Sequence, residues 1–397
     1  MLRKIYSEGA HLKLALADTP MGEKRGRTVK TVYGVLENDG YLELCVRTLA
    51  DRPPKAAVKL VLKIALYAML FLDMPKEVAT FEAVGLIKSL GKGGAAGFVN
   101  AFLRAFDREK VVIPDGVEGL VIKSNFPRFA VEEICSRYGD RAEAILTARS
   151  KGVSVRFSED IGEYAALPHE KTPFKSVCLF PNFTRDEGFF EGKYTFQSLG
   201  SVAICDVVEP CEKLLDACAA PGGKSVLLAN KCGQITACEL HAHRVKLIEG
   251  YCARMGAENV TAVQADSAVF CPDFAERFDG VLCDVPCSGL GTVAENPDLP
   301  LNKKAEDIEK LNRIQAAIVE NCARYVKRGG FLVYSTCSIL ERENDMIVAQ
   351  FLAENAEFSA EKITSPLEHE RTAFGLQFLP DTAYGAGFYV CKLRRDL

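Results

Sequence analysis

The sequence predicts three domains: an all-α front over residues 1–110, a small α/β connector over 111–190, and a C-terminal α/β domain over 191–397 with a doubly wound, mainly parallel sheet. Two observations carry this. Residues 1–110 hold helical apolar runs with almost no strand signal. From Gln197 onward, short β-rich runs alternate with amphipathic helical stretches, the signature of parallel strands joined by crossover helices. A chain of 397 residues suits two or three such domains and has ample core-forming material, being 48% hydrophobic and 26% charged.

The front opens with MLRKIYSEGAHLKLALADTP, which reads as an amphipathic helix that stays on the protein, because polar residues interrupt its apolar stretch and no small-residue cleavage signature follows. No apolar run approaches the ~20 residues needed to span a bilayer, so a cytoplasmic protein without membrane contact is expected. Residues 56–72 (AAVKLVLKIALYAMLFL) are apolar nearly all round and predict a central buried helix, with Leu60, Ile64, Tyr67, Met69 and Phe71 in the core. A helix follows Pro75 and another starts near Gly97 as GFVNAFLRAF. The segment GEKRGRTVK is broken by glycine and reads as an exposed loop.

Charge is divided unevenly. The net charge is −4, yet residues 1–110 hold 18 Lys+Arg against 12 Asp+Glu and the remainder 31 against 41. A basic front on an acidic rear suggests that a polyanion is held by the front, with Lys24, Arg25, Arg27 and Lys30 the candidate RNA contacts; the plainer reading is a solvated helical face. Fifteen cysteines are scattered with no C-x-x-C pair, which argues against a disulfide scaffold or a zinc ribbon. With five histidines, and His241 and His243 two apart, no metal site is expected.

Residues 111–190 mix strand-like runs such as VSVRF with one helix, RFAVEEICSRYG, and several prolines. In the last domain the predicted strands are KLLDA, QITACEL, VTAVQAD, FDGVLCDVP and GGFLVYSTC. The helices between them are SVLLANK, AHRVKLIEGYCARMG and EDIEKLNRIQAAIVENCARYVK.

The first of these strands runs into DACAAPGGKS at 216–225, where Gly222 and Gly223 allow a ligand close to the backbone. Gly-Lys-Ser resembles the end of a phosphate-binding loop, but that motif needs glycine at the position of Cys218; G-x-G-x-x-G is also absent. Glu239 lies 23 residues after Asp216, the offset at which an acid bonds the ribose of a nucleoside cofactor. Asp216, Glu239, Asp266 and Asp284 close four successive strands. Any one of them is more often a cap, but four along one rim favour a cationic, donor-rich cofactor such as S-adenosylmethionine.

The fourth strand continues into DVPCSGLG and the fifth into YSTCSI, so Cys287 and Cys337 should flank one pocket. Each cysteine alone is usually an inert small hydrophobe. Together, beside a methyl donor, they suggest methylation of carbon 5 of cytosine. That carbon is too poor a nucleophile until a thiolate adds to carbon 6, and the addition needs a nearby cation, for which Lys224 is the candidate. It also needs a group to balance charge at ring N3, for which Asp284 is best placed.

DACAAPGGKS, DVPCSGLG and YSTCSI, in this order and spacing, resemble the motifs of the Sun family of RNA (cytosine-C5)-methyltransferases, whose catalytic domain is a Rossmann-like class I methyltransferase. The resemblance implies Cys337 as nucleophile and Cys287 as the cysteine that releases product. It places cofactor contacts on Cys218, Ala219, Ala220, Pro221, Gly222, Gly223, Lys224, Glu239, Asp266 and Asp284. VYGVL at 32–36, LYAMLF, FEAV at 81–84 and GFVNAFLR at 97–104 resemble the NusB-like RNA-binding domain, whose fusion ahead of the catalytic domain marks the RsmB/Sun branch acting on 16S rRNA. The implied partner is 16S rRNA or a partly assembled small ribosomal subunit, met by a monomer. A tRNA or 23S rRNA substrate, or a NusB-like assembly factor without activity, is the competing reading. Three departures from the family pattern stand out: Gln197-Ser198 for Gln-Asp, Ala294-Glu-Asn-Pro-Asp298 for a basic stretch, and Ala386-Gly-Phe388 for Asp-Gly-Phe.

Overall fold

The computed structural model describes residues 1–22, 25–50 and 52–397, which form two compact units: 1–147 with 296–303, and 148–295 with 304–397.

The first unit is helical. The predicted opening helix is two, Leu2–Glu8 and Leu12–Ala17, because Gly9 takes a left-handed conformation (φ 66°) that ends the first. Helix Ala56–Phe71 is the centre, burying Val58, Val61, Leu62, Ala65, Leu66, Tyr67 and Ala68. Leu60, Ile64 and Met69 pack at its margin, whereas Phe71, expected in the core, is 42% exposed and stacks on Tyr67. Lys63 is buried in the same helix and is held by Asp39 Oδ1 at 2.6 Å and Glu43 Oε2 at 2.9 Å, the pairing a buried ammonium requires. Helices Lys76–Ser89 and Ala96–Ala105 start where Pro75 and Gly97 predicted.

From Arg25 onward the basic segment is helical. Arg25, Arg27 and Lys30 lie exposed on helix Arg25–Glu37, while Lys24 falls outside the described residues. Gly26 costs this helix about 1 kcal/mol relative to alanine, and burial of Val32, Val35 and Leu36 outweighs that cost.

The expected connector over 111–190 is split by the structure. Helices Gly116–Ser124, Arg128–Tyr138 and Ala142–Thr147 belong to the first unit. The reason is Asn125, left-handed at φ 62°. Its amide nitrogen donates to the carbonyls of Leu36 (3.1 Å) and Glu37 (2.6 Å), and its oxygen accepts from the Gly40 amide at 2.5 Å. A Cβ at Gly40 would meet the Ile122 carbonyl at 2.5 Å, so these segments approach backbone to backbone.

The second unit opens with an antiparallel sheet of β1 (Val153–Phe157), β2 (Glu170–Lys171), β3 (Val177–Phe180) and β4 (Tyr194–Phe196), in the order β2-β3-β1-β4. Phe157, Phe180, Phe183 and Tyr194 fill its core. The main sheet follows with β5 (Cys211–Asp216), β6 (Cys232–Glu239), β7 (Val260–Gln264), β8 (Phe278–Asp284), β9 (Val326–Thr336), β10 (Phe358–Glu361), β11 (Glu370–Arg371), β12 (Gly375–Phe378) and β13 (Phe388–Arg395). Its order is β11-β12-β13-β9-β8-β5-β6-β7, with β10 also on β13. Strands β5 to β9 pair in parallel and β13 joins β9 antiparallel. The Rossmann-like, mainly parallel sheet is therefore present, with helices Gly223–Leu228, Ala242–Met255 and Ala305–Ala323 as crossovers.

The chain steps outward from β5 to β6 and β7, then returns to the other side for β8 and β9. The β5/β8 gap is thus the topological switch point, and ligands of such sheets bind outside the carboxyl ends there. Packing at this central strand is tight: a Cβ on Gly280 would come within 2.2 Å of the buried Phe331 ring. Gly280→Ala is expected to cost about 2 kcal/mol by overpacking, seen as a lower urea midpoint at unchanged m; an unchanged midpoint would show that the ring yields freely.

Candidate active site

The glycine-rich loop leaves the end of β5 at the switch point. Gly222 adopts φ 107° as N-cap of helix Gly223–Leu228, and a Cβ there would press on Ile248 Cα at 3.2 Å, so glycine is required by conformation and by space. Asp216 is 1% exposed. Its Oδ2 accepts from Ser225 Oγ at 2.6 Å, while its Oδ1 is buried with no hydrogen-bond partner among the described residues. Burial pushes this carboxyl up to about 6, against the opposing Ser225 hydrogen bond. A buried acceptor without a partner among the described residues, beside a glycine-rich loop, suits a donor-bearing ligand.

The other rim acids differ from one another. Glu239, 5% exposed at the end of β6, accepts from the His241 amide at 3.0 Å and pairs with Arg244 at 3.3 Å. Arg244 also reaches the Ala220 carbonyl at 3.3 Å, which ties the glycine loop to Glu239; sequence reasoning missed this link. Asp266 lies two residues beyond β7, exposed, with its Oδ1 capping the Ala268 amide at 2.9 Å. Asp284 ends β8, its Oδ1 accepting from Ser335 Oγ at 2.7 Å and its Oδ2 from Lys224 Nζ at 2.6 Å. Burial alone would lower the Lys224 ammonium, but the charge and hydrogen bond of Asp284 outweigh it and raise it. The hydrogen bond of Lys224 goes to Asp284, which sets the ammonium behind that carboxylate. Cys218 is half-buried on this loop, and desolvation pushes its thiol well up.

The two motif cysteines do meet. Cys287 Sγ and Cys337 Sγ stand 3.1 Å apart on the loops leaving β8 and β9. The approach of these loops depends on Gly291: its amide donates to the Cys337 carbonyl at 3.0 Å, and a Cβ there would strike the Gly387 carbonyl at 2.1 Å. The Cys287 thiol is raised well above its ordinary value, by its hydrogen bond to Cys337 first, then by burial and by the charges of Cys337 and Glu343. Glu343, fully buried, was not found from sequence. Six residues beyond Cys337 in a polar run, nothing distinguishes it from the exposed Glu341.

The departures at Ser198 and Ala386 have structural accounts. Ser198 Oγ accepts from the Ser201 amide at 3.3 Å as N-cap of helix Leu199–Val207, a role aspartate fills equally. Gln197 Nε2 donates to the Gly223 carbonyl at 3.1 Å, and Arg156 Nε donates to Gln197 Oε1 at 2.6 Å, which braces the glycine loop from β1. Asp298 accepts from the Leu12 amide at 3.0 Å within the helical unit, so it caps helix Leu12–Ala17. Ala386 is buried in the core beside β13. Among the described residues, no cluster of three His, Cys, Asp or Glu side chains suits a metal ion, and no helix is long and apolar enough to cross a membrane.

Residues 206–394 match the family model of the 16S rRNA methyltransferase RsmB/F, and residues 3–108 match that of the NusB family. The chain is similar to the probable ribosomal RNA small subunit methyltransferase B of Bacillus subtilis, with 33% identity over 94% of this chain and 91% of that protein. It is also similar to ribosomal RNA small subunit methyltransferase B of Xanthomonas campestris, with 29% identity over 99% and 95%. The crystal structure of PH0851 superposes with a TM-score of 0.82 at 23% identity, over 94% of this chain and 91% of that one. NSun6 from Pyrococcus horikoshii gives a TM-score of 0.62 at 21% identity, over 68% and 99%. At these identities the structures speak for the fold.

Proposed function

Since the chain belongs to the 16S rRNA methyltransferase RsmB/F family, with a NusB-family domain at its front, we propose that it methylates carbon 5 of a cytosine in 16S rRNA through a covalent bond from Cys337 to ring carbon 6. The observation that carries this reading is the pair of sulfurs 3.1 Å apart at the switch-point rim, beside the Asp284–Lys224 pair.

The cofactor is S-adenosylmethionine, which when bound supplies an electrophilic methyl group. The residues suit it: Asp216 has a buried acceptor without a partner among the described residues, Gly222 fixes the turn of the loop, and Glu239 stands at the ribose offset. Asp266, on an exposed loop, would close the outer edge of this pocket.

Cys337 adds to carbon 6, and the electron pair of the ring double bond makes carbon 5 nucleophilic. The addition places negative charge at ring N3, and the Asp284–Lys224 pair balances it by passing the ammonium's proton through the Asp284 carboxyl to N3. Once carbon 5 carries its new group, its proton passes to water, the C–H electron pair restores the double bond, and the Cys337 sulfur leaves as a thiolate. Cys287 serves this release by hydrogen-bonding to the departing sulfur. Arg25, Arg27 and Lys30, exposed along one helix of the NusB-family domain, supply phosphate contacts that position without reading sequence.

The test is incubation of the purified protein with tritiated S-adenosylmethionine and, in parallel, protein-free 16S rRNA, small-subunit particles, 23S rRNA and tRNA, followed by bisulfite mapping. One new protected cytosine in 16S rRNA is expected. Label confined to tRNA or 23S rRNA would move the substrate, and label without a protected cytosine would overturn the carbon 5 chemistry. No label on any RNA would favour an inactive NusB-like assembly factor.

A further inference from the structure

Cys287 and Cys337 sit on separate loops, and each is followed by a serine. The serines meet as the cysteines do, Ser288 Oγ lying 3.3 Å from Ser338 Oγ. Beneath them is Glu343, 0% exposed. Its Oε2 accepts from both serine hydroxyls, each at 2.5 Å, and its Oε1 accepts from the Ser288 amide at 2.8 Å and from Gln315 Nε2 at 3.1 Å. All four donors are neutral. A carboxylate taken out of water without a cation is costly, and charge-assisted hydrogen bonds, roughly twice as strong as neutral ones, are what hold it there. Nothing in the proposed reaction uses Glu343 directly, so a buried charge at this place calls for another role.

We propose that Glu343 is a positioning residue of the two-cysteine site, its carboxylate clamping Ser288 to Ser338 so that the sulfurs of Cys287 and Cys337 are held in contact. The clamp is asymmetric. Glu343 takes two hydrogen bonds from Ser288 and one from Ser338, so its charge bears more on the Cys287 loop. A negative charge there disfavours a thiolate at Cys287 and so favours keeping a proton on that sulfur. The Cys287 thiol is raised in this sense, Glu343 contributing after Cys337 and burial. The other titratable groups near the pair are Tyr334 on β9 and, three residues before Cys287, Asp284 with its partner Lys224.

The inference rests on the cytosine-C5 reading for its purpose, but its test needs no RNA. Iodoacetamide alkylation of Cys287 and Cys337 is followed separately by peptide mass spectrometry across pH 6–10 in the full chain (a range spanning about two units around an ordinary thiol). In the wild type, Cys287 is expected to react with a raised midpoint. Glu343→Gln keeps the shape and removes the charge, and should lower the Cys287 midpoint by about one unit. Glu343→Asp, which keeps the charge, should keep it raised. On RNA, Glu343→Gln should lower kcat about tenfold or more, with KM within about twofold. Should Glu343→Gln not fold, Ser338→Ala tests the clamp by diamide crosslinking, the two thiols reducing diamide as they form a disulfide; the rate is expected to fall. Unchanged midpoints in folded Glu343→Gln, or an unchanged crosslinking rate in Ser338→Ala, would overturn the proposal. Unchanged midpoints beside normal methylation refute the clamp alone, while midpoints that respond in a protein that methylates no cytosine refute the reaction alone.

Discussion

Cys337→Ala is expected to remove methyl transfer, by at least about 10³-fold, while S-adenosylmethionine binds nearly as before. The size follows from the chemistry: without a sulfur on carbon 6, carbon 5 never becomes a nucleophile, and no other group on the rim replaces that bond. Sparing of the cofactor follows from the geometry. Cofactor contacts are assigned to the loop after β5, to Glu239, to Asp266 and to Asp284, none of them on the loop after β9 that carries Cys337. The residue is also a partly buried margin of the core, so truncation to alanine should cost only about 1 kcal/mol of stability. Calorimetric titration of the cofactor and tritium transfer to 16S rRNA, on the same preparation, check both halves. Turnover within tenfold of the wild type would remove Cys337 from the role of nucleophile. Loss of cofactor binding would mean that the two sites are not separable in this way.

The parts of this site that were legible in the sequence are those where backbone and chemistry impose one residue type. Gly222 needs a left-handed conformation, Asp216, Glu239 and Asp284 end their strands, and the two cysteines follow strand ends that a doubly wound order brings to the same rim. Helices with an all-round apolar surface, such as Ala56–Phe71, were equally plain. The misses share one physical origin, which is that a contact made far along the chain decided the outcome. Gly26 suggested a loop, but burial of Val32, Val35 and Leu36 holds a helix through it. A composition change near residue 111 suggested a boundary, but Asn125 fastens the next helices to the front through Leu36, Glu37 and Gly40. Glu343 acquires its importance only from Ser288, more than fifty positions earlier, and no local pattern announces that.

Cys287→Ala should fail in the opposite sense from Cys337→Ala, by starting the reaction and not finishing it. The nucleophile remains, so addition to carbon 6 and methylation of carbon 5 proceed once. Release then requires the Cys337 sulfur to leave, and the group 3.1 Å away that hydrogen-bonds to it is missing. The expected result is a protein–RNA adduct, stable to denaturing electrophoresis, accumulating to about one per enzyme while multiple turnover falls by about 10² or more. The adduct should require both S-adenosylmethionine and the target RNA, and the double variant Cys287→Ala/Cys337→Ala should form none. This pairing separates release from a merely structural role, since a damaged site would lose the adduct along with the turnover. An adduct absent from Cys287→Ala at normal cofactor affinity would take the release step away from Cys287. Full multiple turnover in that variant would leave Cys287 as a packing neighbour of the nucleophile, held against it by Glu343 for the sake of the loop alone.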